Sequence, residues 1–237
     1  MYDPLELATE TASIVCDESR RKYYRFRAAQ FYGGIATADC VGCCLRCVFC
    51  WSWRVVNEPR GSGRFYTPQQ VVDNLVSIAR KNDFDQVRIS GNEPTLGRDH
   101  LVQVIALVPT DLLFILETNG ILLGHDREYA AALAQFPHVR VRVSLKGSTA
   151  EEFTRLTGAE PEAFELQLAA LRNLVTAGAD VSAAVMGSFS EGRSLRALRD
   201  QLAKVSPLLA DLELEEVALY GDAERRLASA GLRCRGG

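Results

Sequence analysis

The hydrophobic pattern of this chain changes period repeatedly, and that alternation limits its possible folds more than any other feature. Val71, Val72, Leu75, Ile78 and Ala79 recur at helical spacing behind Thr67-Pro68, an N-cap followed by proline in the first turn. Gln86-Val87-Arg88-Ile89-Ser90 then reads as a short strand running into Gly91. Leu101, Val104, Ile105 and Val108 mark a second helix, and Leu112 to Leu116 a strand followed by the turn Asn119-Gly120. Residues 126–136 read as helical, and Val139 to Leu145 alternate as a strand. Phe164, Leu168, Leu171, Leu174 and Val175 line an amphipathic helix stopped by Gly178. A strand over Val181 to Met186, a helix through Leu195, Leu198, Leu202 and Val205, and a strand over Leu212 to Tyr220 follow. With one more strand near Gly34–Asp39, about six βα units result. Such alternation specifies a parallel sheet with helices outside it. Six units fall short of the eight of a closed barrel, so the expected fold is α/β, an open or partial barrel. A flat doubly wound sheet is the alternative, and in both folds functional side chains gather at the C-terminal ends of the strands.

The 237 residues suffice for one core, expected over residues 31–237 behind an N-terminal extension, residues 1–30. The extension sets Arg20, Arg21, Lys22, Arg25 and Arg27 among Tyr23, Tyr24 and Phe26. As a helix it would be an amphipathic cap; its other reading is a contact surface for RNA or an acidic partner. The 27 basic and 30 acidic side chains, net −3, argue against a bulk nucleic-acid binder. No apolar run approaches the roughly 18 residues of a membrane span. The start lacks a basic, then apolar, secretory signal. The expectation is a soluble cytoplasmic protein.

Five of the seven cysteines, Cys40, Cys43, Cys44, Cys47 and Cys50, lie within eleven residues. In a reducing compartment that density points to a metal site rather than to disulfides. Cys43, Cys47 and Cys50 have three and then two residues between them. A tetrahedral zinc would want a fourth strong ligand, and His100, His125 and His138 all lie far along the chain. Three thiolates on a tight loop suit a cubane iron–sulfur cluster with one iron left open for a small molecule. Cys16 and Cys234 read as ordinary free thiols.

This loop, with Phe49 just before its last cysteine, resembles the cluster motif of the radical S-adenosylmethionine (SAM) enzymes. The resemblance implies a partial (β/α)6 barrel in which Cys43, Cys47 and Cys50 hold three irons of a [4Fe-4S] cluster and SAM chelates the fourth. It further implies cleavage of SAM to methionine and a 5′-deoxyadenosyl radical, which abstracts hydrogen from a substrate, and an electron donor of the flavodoxin or ferredoxin type. A second register, Cys40, Cys44 and Cys47, has the same spacing, but it puts Arg46 where the aromatic belongs and leaves Cys50 unused. In the first register Cys40 and Cys44 are spare.

Ser90-Gly91-Asn92-Glu93-Pro94 resembles the family's Gly-Gly-Glu-Pro segment, whose backbone and acidic side chain contact the SAM amino group. Asn92 stands at the second glycine, and asparagine accepts a left-handed conformation, so the turn is expected to survive. Glu117-Thr118-Asn119-Gly120 and Ser144-Leu145-Lys146-Gly147 are similar to strand-end segments of glycyl-radical-enzyme activating enzymes. That places Glu117, Asn119, Ser144 and Lys146 beside SAM. The likeness spans roughly residues 34 to 190; the tail from Leu212 to Gly237 matches no known segment. The implied substrate is a protein. Because Cys47-Val48-Phe49-Cys50-Trp51 resembles the loop of wyosine-forming tRNA enzymes, tRNA is the alternative. A non-catalytic iron–sulfur redox sensor is the third reading.

Strand alternation adds one expectation of its own. Arg140, Arg142, Ser144 and Lys146 share one face of their strand, and Val139, Val141, Val143 and Leu145 the other. If the valines pack on helices, both arginines face the barrel interior and need anions, which Glu213 and Glu215 on the last strand can supply.

Overall fold

The computed structural model describes residues 1–233; Cys234 lies outside the described residues. The chain opens with helix α1 (Pro4–Val15), strands β1 (Cys16–Asp17), β2 (Arg20–Ala29) and β3 (Ile35–Cys40), helix α2 (Trp53–Asn57) and strand β4 (Arg64–Tyr66). The regular alternation then runs α3 (Pro68–Lys81), β5 (Gln86–Gly91), α4 (Arg98–Leu107), β6 (Leu113–Thr118), α5 (Ile121–His125), α6 (Arg127–Ala134) and β7 (Val139–Leu145). It closes with α7 (Ala150–Thr157), α8 (Ala163–Thr176), β8 (Asp180–Met186), α9 (Gly192–Ala203), β9 (Glu213–Glu215) and α10 (Ala223–Ser229). One sheet has the order β1-β2-β3-β5-β6-β7-β8-β9, with β4 on β2. β3 and β5 through β9 are parallel, the six units expected. β9 has no second neighbour among the described residues, so the barrel is open.

Local chemistry explains the elements. Thr67 and Gln70 form a reciprocal capping box at the start of α3, with Pro68 in its first turn and Arg80 and Lys81 in its last. Val71, Val72, Leu75 and Ala79 are the buried stripe of that helix. On the sheet, Val87, Ile89, Phe114, Leu116, Val139, Val141, Val143 and Leu145 are buried in the core shared with the helices. The opposite, inner face carries polar side chains and a small apolar patch of Ala29, Ile35 and Ile115. At about 25 cal/mol per Å² of apolar surface removed from water, it is the helix-facing layer that stabilises the barrel.

Several expectations change. Residues 20–29 are not a helix but β2, paired antiparallel along the length of β3. Tyr23, Tyr24 and Phe26 suit a strand, and Tyr23 and Phe26 pack with Tyr66 of β4. The pairing also sets Arg25 opposite Asp39, a carboxylate with no exposure that needs cations. The last strand shrinks from Leu212–Tyr220 to Glu213–Glu215. Arg142 meets Glu213 at 2.7 Å and Glu215 at 2.8 Å, the interior ion-pair layer expected from alternation. Arg140 does not join it: at the strand's start it pairs with Asp180 and is half exposed. No helix among the described residues is long and apolar enough to cross a membrane.

Candidate active site

The loop carrying the cysteines leaves the C-terminal end of β3 and is held from both sides. At its start Gly42 has φ +92°, and a Cβ there would come within 2.7 Å of Thr11 and 3.1 Å of Val15 on α1, so only glycine fits. The loop's cross-links come from the end of β5. Glu93 N–H donates to the Gly42 carbonyl at 2.9 Å, and Gly42 N–H donates to Asn92 Oδ1 at 2.8 Å. Asn92 Nδ2 donates to Ser52 Oγ at 2.6 Å, and Ser52 Oγ lies 3.5 Å from the Cys50 sulfur. Asn92 thus ties the loop's beginning to its end. It does so without a left-handed backbone: the positive φ of this turn, +101°, falls on Gly91. Asn92 therefore serves through its amide and not, as expected, through tolerance of that conformation.

Glu93 also differs from expectation. Its carboxylate is fully buried and accepts from Thr95 N–H, Thr95 Oγ1, Thr118 Oγ1 and Asn119 N–H at 2.6–3.1 Å. Three of these donors converge on Oε1 and one reaches Oε2, so the side chain locks the end of β5 to the end of β6.

From the end of β6, buried Asn119 aims Nδ2 at the sulfurs of Cys44 (3.3 Å) and Cys43 (3.6 Å), while Leu45 N–H donates to Cys43 Sγ at 3.3 Å. Its hydrogen bond with Cys44 and the Leu45 N–H hold the Cys43 thiol below its ordinary range, and the same bond to Cys43, with burial, pushes Cys44 well up. Burial raises Cys47 and Cys50, and each of the two is also raised by charge on Cys43, so the three sulfurs feel one another. Lys146, at the end of β7, opposes that rise at Cys47 and at Cys50. Buried Cys40 is pushed up to about 12 and meets none of these donors. Among the described residues no three potential ligands converge on a single ion.

The other expected residues divide. Lys146 Nζ donates to Ser144 Oγ at 2.6 Å, and Ser144 Oγ to Glu215 at 2.7 Å, which places both at the rim of the inner face. Glu117 is turned deeper: Arg88 at 2.8 Å, Ser90 at 2.7 Å and Tyr32 at 2.7 Å all donate to it, and Arg88 holds its carboxyl below the usual range against the cost of burial. Phe49 is buried and stacks on Phe189 of the turn after β8, at 5.9 Å between ring centres. Pro94 is buried in the turn after β5. The sequence reading missed Arg226 of α10. It donates to the carbonyls of Val48 (2.9 Å) and Cys50 (2.7 Å), lies 4.7 Å from the Trp53 ring centre and pairs with Asp222.

The described geometry agrees with comparisons to known proteins. The family model of the Radical SAM superfamily matches residues 39–194. A probable GTP 3′,8-cyclase of Pyrobaculum aerophilum is 27% identical over 170 residues, 72% of this chain and 51% of that protein. The mycofactocin maturase MftC of Mycobacterium tuberculosis is 31% identical over 155 residues, 63% of this chain and 37% of that protein. The chain spans about half or less of the length of these curated relatives. The crystal structure of Streptococcus suis SuiB bound to S-adenosylmethionine shares the fold, with a TM-score of 0.61 at 16% identity over 81% of this chain and 45% of that one. A cysteine-rich loop at the C-terminal rim of six parallel strands, with one family model matched over most of the chain, fixes the assignment: this chain belongs to the radical SAM superfamily.

Proposed function

We propose that this enzyme reductively cleaves SAM and directs the radical to a peptide or protein substrate lying on the polar inner face of the barrel. Cys43, Cys47 and Cys50 would hold the [4Fe-4S] cluster, which supplies the electron for SAM cleavage when bound. The residues of this chain bind, orient and shield. The main chain of Gly91–Glu93, the amide of Asn119 and the Ser144–Lys146 pair line the rim where SAM would sit. Pro94 and Glu93 hold that rim in shape from below. Phe49 packed on Phe189 shields the loop from water. Burial of the thiols means that cluster insertion must release their protons, and the hydrogen bonds from Cys44 and Leu45 N–H favour the thiolate at Cys43. The observation that carries this reading is Asn119: the residue just after β6 touches the cysteine loop directly, which brings the cysteine loop and the strand rim together.

A protein substrate is favoured over tRNA in part because Arg21 and Lys22 of the basic segment near the N-terminus are spent inside the fold. Arg21 is buried, and Lys22 donates to the carbonyls of Pro59 and Arg60. Relatives named maturases and a shared fold with SuiB, crystallised with its precursor peptide SuiA, support the same choice. The electron donor would be of the flavodoxin or ferredoxin type. Anaerobically reconstituted enzyme with SAM and dithionite should form 5′-deoxyadenosine. With protein and RNA fractions from deuterium-grown cells, deuterium should enter 5′-deoxyadenosine from the protein fraction. Transfer from the RNA fraction alone would replace this reading with the tRNA one.

A further inference from the structure

The charges of the inner face balance on one side of the barrel and not on the other. Across β5 to β9, Arg88 is paired with Glu117 and Arg142 with Glu213 and Glu215, while Lys146 lies close enough to Glu215 to help hold its carboxyl below the usual range. Three cations meet three carboxylates there. On the β2–β3 side two guanidinium groups share one carboxylate: Arg25 Nε reaches Asp39 Oδ2 at 2.6 Å and Arg27 Nε the same oxygen at 2.9 Å.

Arg25 spends only Nε on Asp39, so its two terminal nitrogens carry no protein hydrogen bond among the described residues; Arg27 spends Nε and one terminal nitrogen. Asp39 has no exposure, whereas the Arg25 and Arg27 side chains are 43% and 25% exposed, so the pair is reachable from solvent. Arg25 is also held in place: its guanidinium lies 5.5 Å from the ring centre of Trp51 and 5.6 Å from that of Tyr24. Trp51 follows Cys50 directly, which puts the pair beside the loop expected to carry the cluster.

We propose that Arg25 and Arg27 form an oxyanion subsite that anchors a carboxylate or phosphate of the substrate on the inner face, beside Trp51. A planar guanidinium with free terminal nitrogens binds either anion in fork geometry, and the surplus positive charge in a half-buried setting favours it. Asp39 fixes the two forks in position. This subsite rests on the proposed radical SAM reading and adds the chemical class of what the substrate must present.

The test is calorimetric titration of the reconstituted, SAM-loaded enzyme with pyrophosphate and, separately, with glutarate at low ionic strength. Saturable one-to-one binding of at least one probe is expected, and the tighter probe tells phosphate from carboxylate. Arg25→Gln leaves Asp39 paired with Arg27, so the fold is retained and the affinity should drop at least about tenfold. Arg25→Lys, which keeps the charge and loses the fork, should fall between the two. Arg80→Gln, at an exposed pair with Asp111 on the outer surface, should leave anion affinity unchanged. Absence of saturable binding of either anion, or equal affinity in the wild type and Arg25→Gln, overturns the subsite. The SAM-induced spectral change of the wild-type cluster, recorded on the same sample, separates that failure from failure of the radical SAM reading.

Discussion

At the scale of single residues, the site depends on side chains whose polar atoms are all engaged. Glu93 accepts four hydrogen bonds in a fully buried setting, and replacing one oxygen by an amide sets donor against donor. Glu93→Gln should therefore lower the unfolding free energy by about 1–3 kcal/mol and loosen Asn119 from Cys43. Urea denaturation of the apoprotein checks this, and an unchanged midpoint would return Glu93 to the role of a SAM ligand. His100 gives a pH dependence. It is buried between the Tyr23 hydroxyl at 3.0 Å and the Ser19 carbonyl at 2.7 Å, and burial lowers it from 6.5 to about 4. Because the folded state holds this proton more weakly than the unfolded one, its stabilising contribution is full above about pH 6.5 and is lost as pH falls toward 4. Stability measured across that window should decline by the order of 3 kcal/mol, and His100→Gln should flatten the curve. A wild-type profile no steeper than the variant's would contradict this assignment.

At the scale of elements, the strands that follow a helical crossover were legible in the sequence, because their continuous apolar or alternating runs are set by burial on the helix side. β7 is the clearest case: four apolar residues alternate with Arg140, Arg142 and Ser144, and the facing follows directly. β2 was not legible as a strand. Its charges fall at positions that fit either period, and what decides is pairing with β3 and the demand of buried Asp39, both long-range. Nor was α10 legible as part of the site, since a seven-residue helix offers too short a pattern and Arg226 acts across the whole chain on carbonyls near Cys50. Arg226→Gln should lower the amount of cluster retained after reconstitution and shift the cluster's reduction potential to more negative values, because a cation near the thiolates favours the reduced state. Arg226→Lys should restore the potential better than the packing. Identical potentials in all three proteins would confine Arg226 to the surface of the loop.

For the whole molecule, the six-unit open barrel and the radical SAM family were readable because both rest on local spacing. The hydrogen bonds that bury the Glu93 carboxylate, the bridging role of Asn92 and the uneven charge of the inner face were not, because each depends on which strand ends converge. The central claim is that the loop after β3 binds a [4Fe-4S] cluster through Cys43, Cys47 and Cys50 for SAM cleavage. The most direct measurement is 5′-deoxyadenosine formation, with cluster absorbance, in single alanine variants reconstituted anaerobically with SAM and dithionite. Cys43→Ala, Cys47→Ala and Cys50→Ala should each abolish it while Cys40→Ala retains both product and chromophore. Loss in Cys40→Ala together with retention in Cys50→Ala would contradict the account.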